Sequence, residues 1–418
     1  MRRQGARRRH VRTDPGFVGG NVAELLRGGD ELFPRMLAAI RQAHAEVWLA
    51  TYIFHDDTAA LALADALAAA DRRGVRVRVV VDGFGSKASL PLLRQRLAGS
   101  GVALAVFRPM DRWWHWLQPG QLRRLHQKLC VVDGETAFVG GVNIIDDRLD
   151  IHHGLSELPR LDFSVQLHGP LVEPVGHGLR SIWSRAWLGR DFDDALLDYI
   201  PLRRRLRRWL AQLWRGPQRL PQAVPRMAPV CAAFVMRDNL RRRRTIEHAY
   251  VDAIRGARER VDLICPYFYP GQRIRLALRQ AADRGVRVRL LLQGKLDYRL
   301  AGWAAEALYA ELIGHGVEIY EYTPAFLHAK VAVVDGAWAT VGSSNIDPLS
   351  LLLNLEANVV LRDAGFAARL AGEIEAALAV SSRVGQAGGT GLRAMLHRAV
   401  VAWFAYVFLR VAGAAGRY

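Results

Sequence analysis

Two long stretches of the chain carry the same succession of hydrophobic periods. An amphipathic helical period over about 30–44 runs into an apolar stretch, Val47–Phe54, and the same order returns over about 239–257 and Val261–Phe268. A second helical period, alanine-rich over 59–72 and amphipathic over 273–284, ends at a glycine both times. A β-branched run follows, "VRVRVVV" in one stretch and "VRVRLLL" in the other. Identities accompany the periods: "IRQAHAEVWLATYIF" pairs with "IRGARERVDLICPYF", "AADRRGVRVRVVVDG" with "AADRGVRVRLLLQG", and "GVALAVF" with "GVEIYEY". One order kept twice predicts a duplicated domain. Helices alternating with buried strands predict an α/β fold, each lobe a mostly parallel or mixed sheet with helices on both faces.

Each repeat closes on a predicted hairpin, "LHQKLCVVDGETAFVGGVN" (125–143) and "LHAKVAVVDGAWATVGSSN" (327–345). Asp133-Gly134 and Asp335-Gly336 are strong turn dipeptides between two β-rich runs. Residues two apart on a strand share a face, so His126 is presented with Lys128 and His328 with Lys330.

The lobes are expected over 17–200 and 230–382, after a basic tail at 1–16. A stretch at 201–229 lies between them, with Leu202, Leu206, Trp209, Leu210 and Leu213 on one helical face, arginines on the other, and a proline-bearing linker behind. It reads as a helix lying in a membrane surface. Trp113, Trp114 and Trp116, set among arginines before the first hairpin, suit the headgroup region. Over 383–418 an apolar segment around Trp403 is interrupted by arginines and is expected to dock at the interface rather than span it.

Composition narrows the partner. The formal net charge is +18, from 58 Lys and Arg against 40 Asp and Glu, so an anionic partner is expected. The chain has four lysines, Lys87, Lys128, Lys295 and Lys330, and two of them stand in the doubled H-x-K. Where arginine supplies nearly all positive charge, these sites call for a compact ammonium. Cys130, Cys231 and Cys265 are too scattered for a disulfide framework or a metal cluster, which fits a reducing environment. No cofactor or metal is expected.

Two histidines supply a nucleophile and an acid, while two lysines with Asn143 and Asn345 supply charge and donors. Gly140, Gly141, Gly342, Ser343 and Ser344 let backbone N–H groups approach an anion. That inventory suits a phosphodiester, with the histidines on opposite sides of one phosphorus, so one H-x-K is half of a site at a pseudo-twofold interface.

The doubled H-x-K-x4-D-x6-G-(G/S)-x-N resembles the phospholipase D superfamily, and within it the short bacterial cardiolipin synthases without N-terminal transmembrane helices. "GNVAELLRGGDELFPRMLAAI", "ICPYFYPG" and "NLEANVVL" carry that likeness. The resemblance implies a phosphatidyltransferase working through a phosphohistidine, with His126 as nucleophile and His328 as acid and base. It makes Lys128, Lys330, Asn143, Asn345 and Ser344 the phosphate holders. Asp133 and Asp335 complete the catalytic motif and are counted with its residues, although their turn positions suit bracing the hairpin more than touching substrate. Glu356 matches the family's orienting carboxylate after the second motif. The equivalent spacing after the first falls on Gly154, so Asp162 is taken as the first lobe's substitute. Implied partners are anionic phospholipids and the bilayer surface at the cytoplasmic face of a bacterial membrane, with no specific nucleic acid. A hydrolase acting on phospholipid or nucleic acid would use the same motif, and a non-catalytic membrane scaffold would keep the fold alone.

Overall fold

The computed structural model describes residues 16–109, 123–150, 154–187, 230–238, 242–294, 308–347, 350–351 and 354–385. The first lobe runs β1 (Val18–Arg27), α1 (Gly28–Gln42), β2 (Glu46–Thr51), α2 (Thr58–Arg72), β3 (Arg76–Asp82), α3 (Leu90–Leu97) and β4 (Ala103–Phe107). The hairpin β5 (Lys128–Val132) and β6 (Thr136–Gly140) follows, then a short ribbon β7 (Leu149–Asp150) and β8 (Gly154–Leu155), β9 (Phe163–His168) and α4 (Val172–Trp187). The second lobe repeats this with β10 (Val230–Arg237), α5 (Thr245–Gly256), β11 (Arg260–Ile264), α6 (Gln272–Asp283), β12 (Arg287–Gln293), β13 (Glu318–Tyr322), the hairpin β14 (Val331–Val334) and β15 (Trp338–Gly342), β16 (Glu356–Arg362), α7 (Ala364–Ala379) and β17 (Ser382–Arg383).

The lobes share one sheet. Its 15 strands run β17-β13-β12-β11-β14-β15-β16-β10-β1-β9-β6-β5-β2-β3-β4, a sequence that reads as its own mirror about the β10–β1 seam apart from the terminal β17. In each half three strands are parallel and the hairpin joins them antiparallel. Strand alternation covers both faces. Leu129 and Val131 point into a core cluster that spans both lobes under α4 and α7, whereas Cys130 and Val132 point into a first-lobe cluster under α1 and α2.

Two outcomes differ from the sequence pattern. The apolar run at 47–54 stops pairing after Thr51, because the Thr51 hydroxyl turns the chain by donating to the Ile53 carbonyl (2.9 Å) and Ile53 N–H donates to Asn143. In the second lobe the helix expected from about 239 begins at Thr245. Ahead of it the Asp238 carboxylate accepts from Arg242 N–H (2.8 Å).

Strands β1 and β10 carry no clean alternation, yet they form the seam, pairing Val18 with Ala232 and Asn21 with Val230. Asn21, fully buried, donates to the Val18 carbonyl (2.6 Å) and the Val230 carbonyl (3.2 Å) and accepts from Leu171 N–H (2.8 Å). Its loss would leave buried backbone groups unpaired at the lobe junction. Asn21→Ala is therefore expected to cost about 2–4 kcal/mol, read as a lowered thermal midpoint.

Candidate functional site

The H-x-K segments sit where each hairpin starts, and short parallel bridges between the lobes fix them there. Leu125 bridges Leu355, and Leu161 bridges Leu327. His126 N–H donates to the Leu355 carbonyl (3.1 Å), and His328 N–H donates to the Leu161 carbonyl (2.9 Å). Each histidine backbone thus hangs on a strand lead of the other lobe.

The side chains follow the same exchange. Nδ1 of His126 lies 3.1 Å from Glu356, and Nδ1 of His328 lies 2.6 Å from Asp162. The carboxylates expected to serve their own lobes serve the opposite ones. Leu161-Asp162 and Leu355-Glu356 occupy equivalent places where β9 and β16 begin, and the crossed bridges carry each acid to the far imidazole. The Gly141 versus Ser343 asymmetry has its reason here. A Cβ on Gly141 would collide with the Asp162 carboxylate, whereas the Ser343 hydroxyl donates to Glu356 (2.5 Å).

The histidine tautomers differ in what their surroundings permit. Nδ1 of His126 also lies 3.1 Å from the Ser343 carbonyl, which can only accept, so that nitrogen carries the hydrogen and Nε2 keeps its lone pair. Nδ1 of His328 faces the Asp162 carboxyl. Burial pushes Asp162 up to about 7, against the pull of Lys330, and it pushes His328 well below its usual value. Burial would raise Glu356 too, but His126, Lys128 and the Ser343 hydroxyl outweigh it and hold it below the ordinary range. Burial thus disfavours the charged imidazole in both dyads, while Glu356 is held toward its carboxylate form and Asp162 is pushed toward its protonated form.

Lys128 and Lys330 are buried, and each Nζ donates to the carbonyl of its own histidine, at 2.7 Å for Lys128. Burial and their mutual repulsion bring Lys128 down to about 7, and burial brings Lys330 down to about 8. Asn143 is buried with its carbonyl oxygen taken by Ile53 N–H (3.3 Å), while the Asn345 side-chain oxygen has no partner among the described residues. Ser344 is buried, with its hydroxyl on the Asn345 carbonyl (3.2 Å).

Asp133 and Asp335 are not at this site, which removes them from the catalytic set. Both take positive φ, 52° and 50°, at the far hairpin turns. The Asp133 carboxylate accepts from the N–H groups of His44, Ala45 and Glu46, and Asp335 from those of Arg258, Glu259 and Arg260. They tie each hairpin to the start of β2 or β11. Trp113, Trp114, Trp116, Trp209 and Trp403 lie outside the described residues.

Sequence reasoning passed over Tyr52, whose ring centroid is 5.1 Å from that of His126 and 5.5 Å from the Lys128 ammonium. Its repeat partner is Pro266, and that mismatch at the end of an otherwise matched strand was the available signal. It also passed over Asp82, which holds Leu125 N–H (2.8 Å) and pairs with Arg124 (3.3 Å) directly ahead of His126.

Comparison with known proteins agrees with the repeat. The family described as cardiolipin synthase, PLD-like domain, matches residues 36–154 and again 250–378. Cardiolipin synthase B of Escherichia coli K12 is 36% identical over 348 residues, 83% of this chain and 78% of that protein. Cardiolipin synthase A of Pseudomonas fluorescens is 35% identical over 352 residues, 84% of this chain and 67% of that protein. The crystal structure of phosphatidylserine synthase from Haemophilus influenzae shares the fold, with a TM-score of 0.65 at 15% identity, covering 94% of this chain and 95% of that one. The chain belongs to the PLD-like cardiolipin synthase family, as the doubled motif implied.

The buried lysines fix a pH dependence. Their ammonium forms exist below their pKa values, so kcat/KM on a phosphodiester should fall as pH rises through about 7 to 8. Because His126 is held below 6.5 by burial, the acid limb should lie below that value. A profile still flat well above pH 8 would contradict the buried ammonium groups.

Proposed function

We propose that this chain is a phosphatidyltransferase that moves a phosphatidyl group from phosphatidylglycerol to an alcohol, the hydroxyl of a second phosphatidylglycerol giving cardiolipin. The carrying observation is the crossed pair of dyads, His126–Glu356 and His328–Asp162, with both lysines buried between them. The unequal dyads divide the roles. His126, its hydrogen fixed on Nδ1, attacks phosphorus through Nε2 and forms the P–N bond. The His328–Asp162 pair holds the proton that the leaving glycerol oxygen takes as its P–O bond breaks. Lys128 and Lys330, with the Asn143 and Asn345 amides, neutralise the charge growing on the non-bridging oxygens. In the second half His328 accepts the acceptor's proton, the new P–O bond forms, and the His126 P–N bond breaks. One diester is exchanged for another, so no nucleotide is consumed.

The site is lipid-facing in this reading, at the cytoplasmic surface of the membrane. Phe84, Leu155 and Tyr267 are 43%, 85% and 48% exposed, apolar surface of the kind that enters a headgroup layer. No helix among the described residues is long and apolar enough to cross a membrane. Hydrolysis would use the same phosphohistidine with water as acceptor, and product analysis separates the two.

Purified protein on phosphatidylglycerol vesicles should yield cardiolipin and glycerol in equal amounts; phosphatidic acid as the sole lipid product would reject transfer. His126→Ala and His328→Ala should each lose roughly 10^3 or more in turnover. With a phosphodiester whose leaving group needs no acid, His328→Ala should still accumulate phosphohistidine, and His126→Ala should not. Label trapped in the His126 variant would reverse the assignment.

A further inference from the structure

We propose that Arg160 binds a second phosphodiester anion, the one carried by the lipid alcohol that accepts the transferred group. The inference rests on the transferase reading above and names how its acceptor is chosen.

The repeat is broken at this position. Arg160-Leu161-Asp162 matches Asn354-Leu355-Glu356, so a cation stands beside one dyad and a neutral amide beside the other. The Leu161 bridge to Leu327 makes this lead extended, and residues two apart on an extended chain share a face. Asp162 reaches His328 on that face, so Arg160 is directed to the same side. The Arg160 side chain is 11% exposed, at the edge of the site rather than within the core. Its Nη2 donates to the Leu149 carbonyl (2.8 Å) and sits 3.5 Å from Asp150, which anchors the guanidinium to the β7–β8 ribbon. Among the described residues no hydrogen bond is made by Nη1 or Nε. The guanidinium charge reaches the site, since it helps to depress both His328 and Lys330.

The chemistry gives that charge a task the other groups do not fill. Lys128, Lys330 and the two asparagines serve the phosphorus under attack. An acceptor phosphatidylglycerol brings a separate phosphate, held a glycerol's length from the hydroxyl that reacts. That hydroxyl must meet His328, which takes its proton, so its phosphate falls on the His328 side, where Arg160 stands. A guanidinium with donors to spare suits a phosphodiester oxygen. Water, glycerol and ethanol carry no such anion and would not use it.

The test is a partition of one phosphohistidine between two acceptors. Phosphatidylglycerol vesicles containing ethanol should give cardiolipin and phosphatidylethanol, and their ratio does not depend on how much enzyme is folded. Arg160→Gln is expected to lower the cardiolipin-to-phosphatidylethanol ratio roughly 10- to 100-fold, the loss of one charge-assisted contact, and Arg160→Lys to restore part of it. An unchanged ratio with both products reduced would overturn the proposal, because a brace for the ribbon, or a group on the donor's own phosphate, affects both acceptors alike. Wild-type protein forming phosphatidylethanol without cardiolipin would instead overturn the lipid-acceptor reading itself, and the role of Arg160 with it.

Discussion

Two backbone bridges, Leu125 to Leu355 and Leu161 to Leu327, are what the site depends on. Each is a short parallel contact between lobes, and each ends at a histidine on one side and a carboxylate on the other. Because the exchange is reciprocal, neither lobe contains a complete dyad. The shared sheet, the β1–β10 seam and the core that runs beneath both lobes hold these bridges in register. Duplication here is a requirement of the geometry: the pseudo-twofold axis places an imidazole, an ammonium and a carboxyl on either side of one small volume.

That volume is costly to build. Two lysines and two carboxyl groups are buried and two histidines are partly so, and burial alone disfavours every charged form among them. The protein offsets this by hydrogen bonds from each ammonium to a histidine carbonyl, and by setting Glu356 and Asp162 close enough to favour the charged lysines. An arriving phosphodiester supplies the negative charge that the lysines lack. The site is thus tuned for an anion that it does not itself provide.

Symmetry in the backbone coexists with asymmetry in the chemistry. Ser343 against Gly141 gives Glu356 a hydroxyl donor, Tyr52 against Pro266 lays an aromatic ring beside the His126 imidazole, and Arg160 against Asn354 adds charge on the other side. A two-step transfer needs such a division, because the group that forms the covalent bond and the group that moves protons have different tasks.

The hydrophobic periods sufficed for the duplicated α/β lobes, since helix and strand repeats depend on local alternation between core and solvent. The spacing of His126 and Lys128, and of their copies, sufficed for phosphate chemistry, because those residue types repeat where chance would not keep them. Local pattern could not tell which carboxylate serves which histidine. Asp162 is near His126 in sequence and Glu356 is near His328, and both proximities mislead. Asp133 and Asp335 belong to the motif along the chain yet brace turns away from the site, as their turn dipeptides already indicated. Pairing was decided by strand bridges between residues some two hundred positions apart, contacts that leave no period in the sequence because they form only when the two lobes close on one sheet.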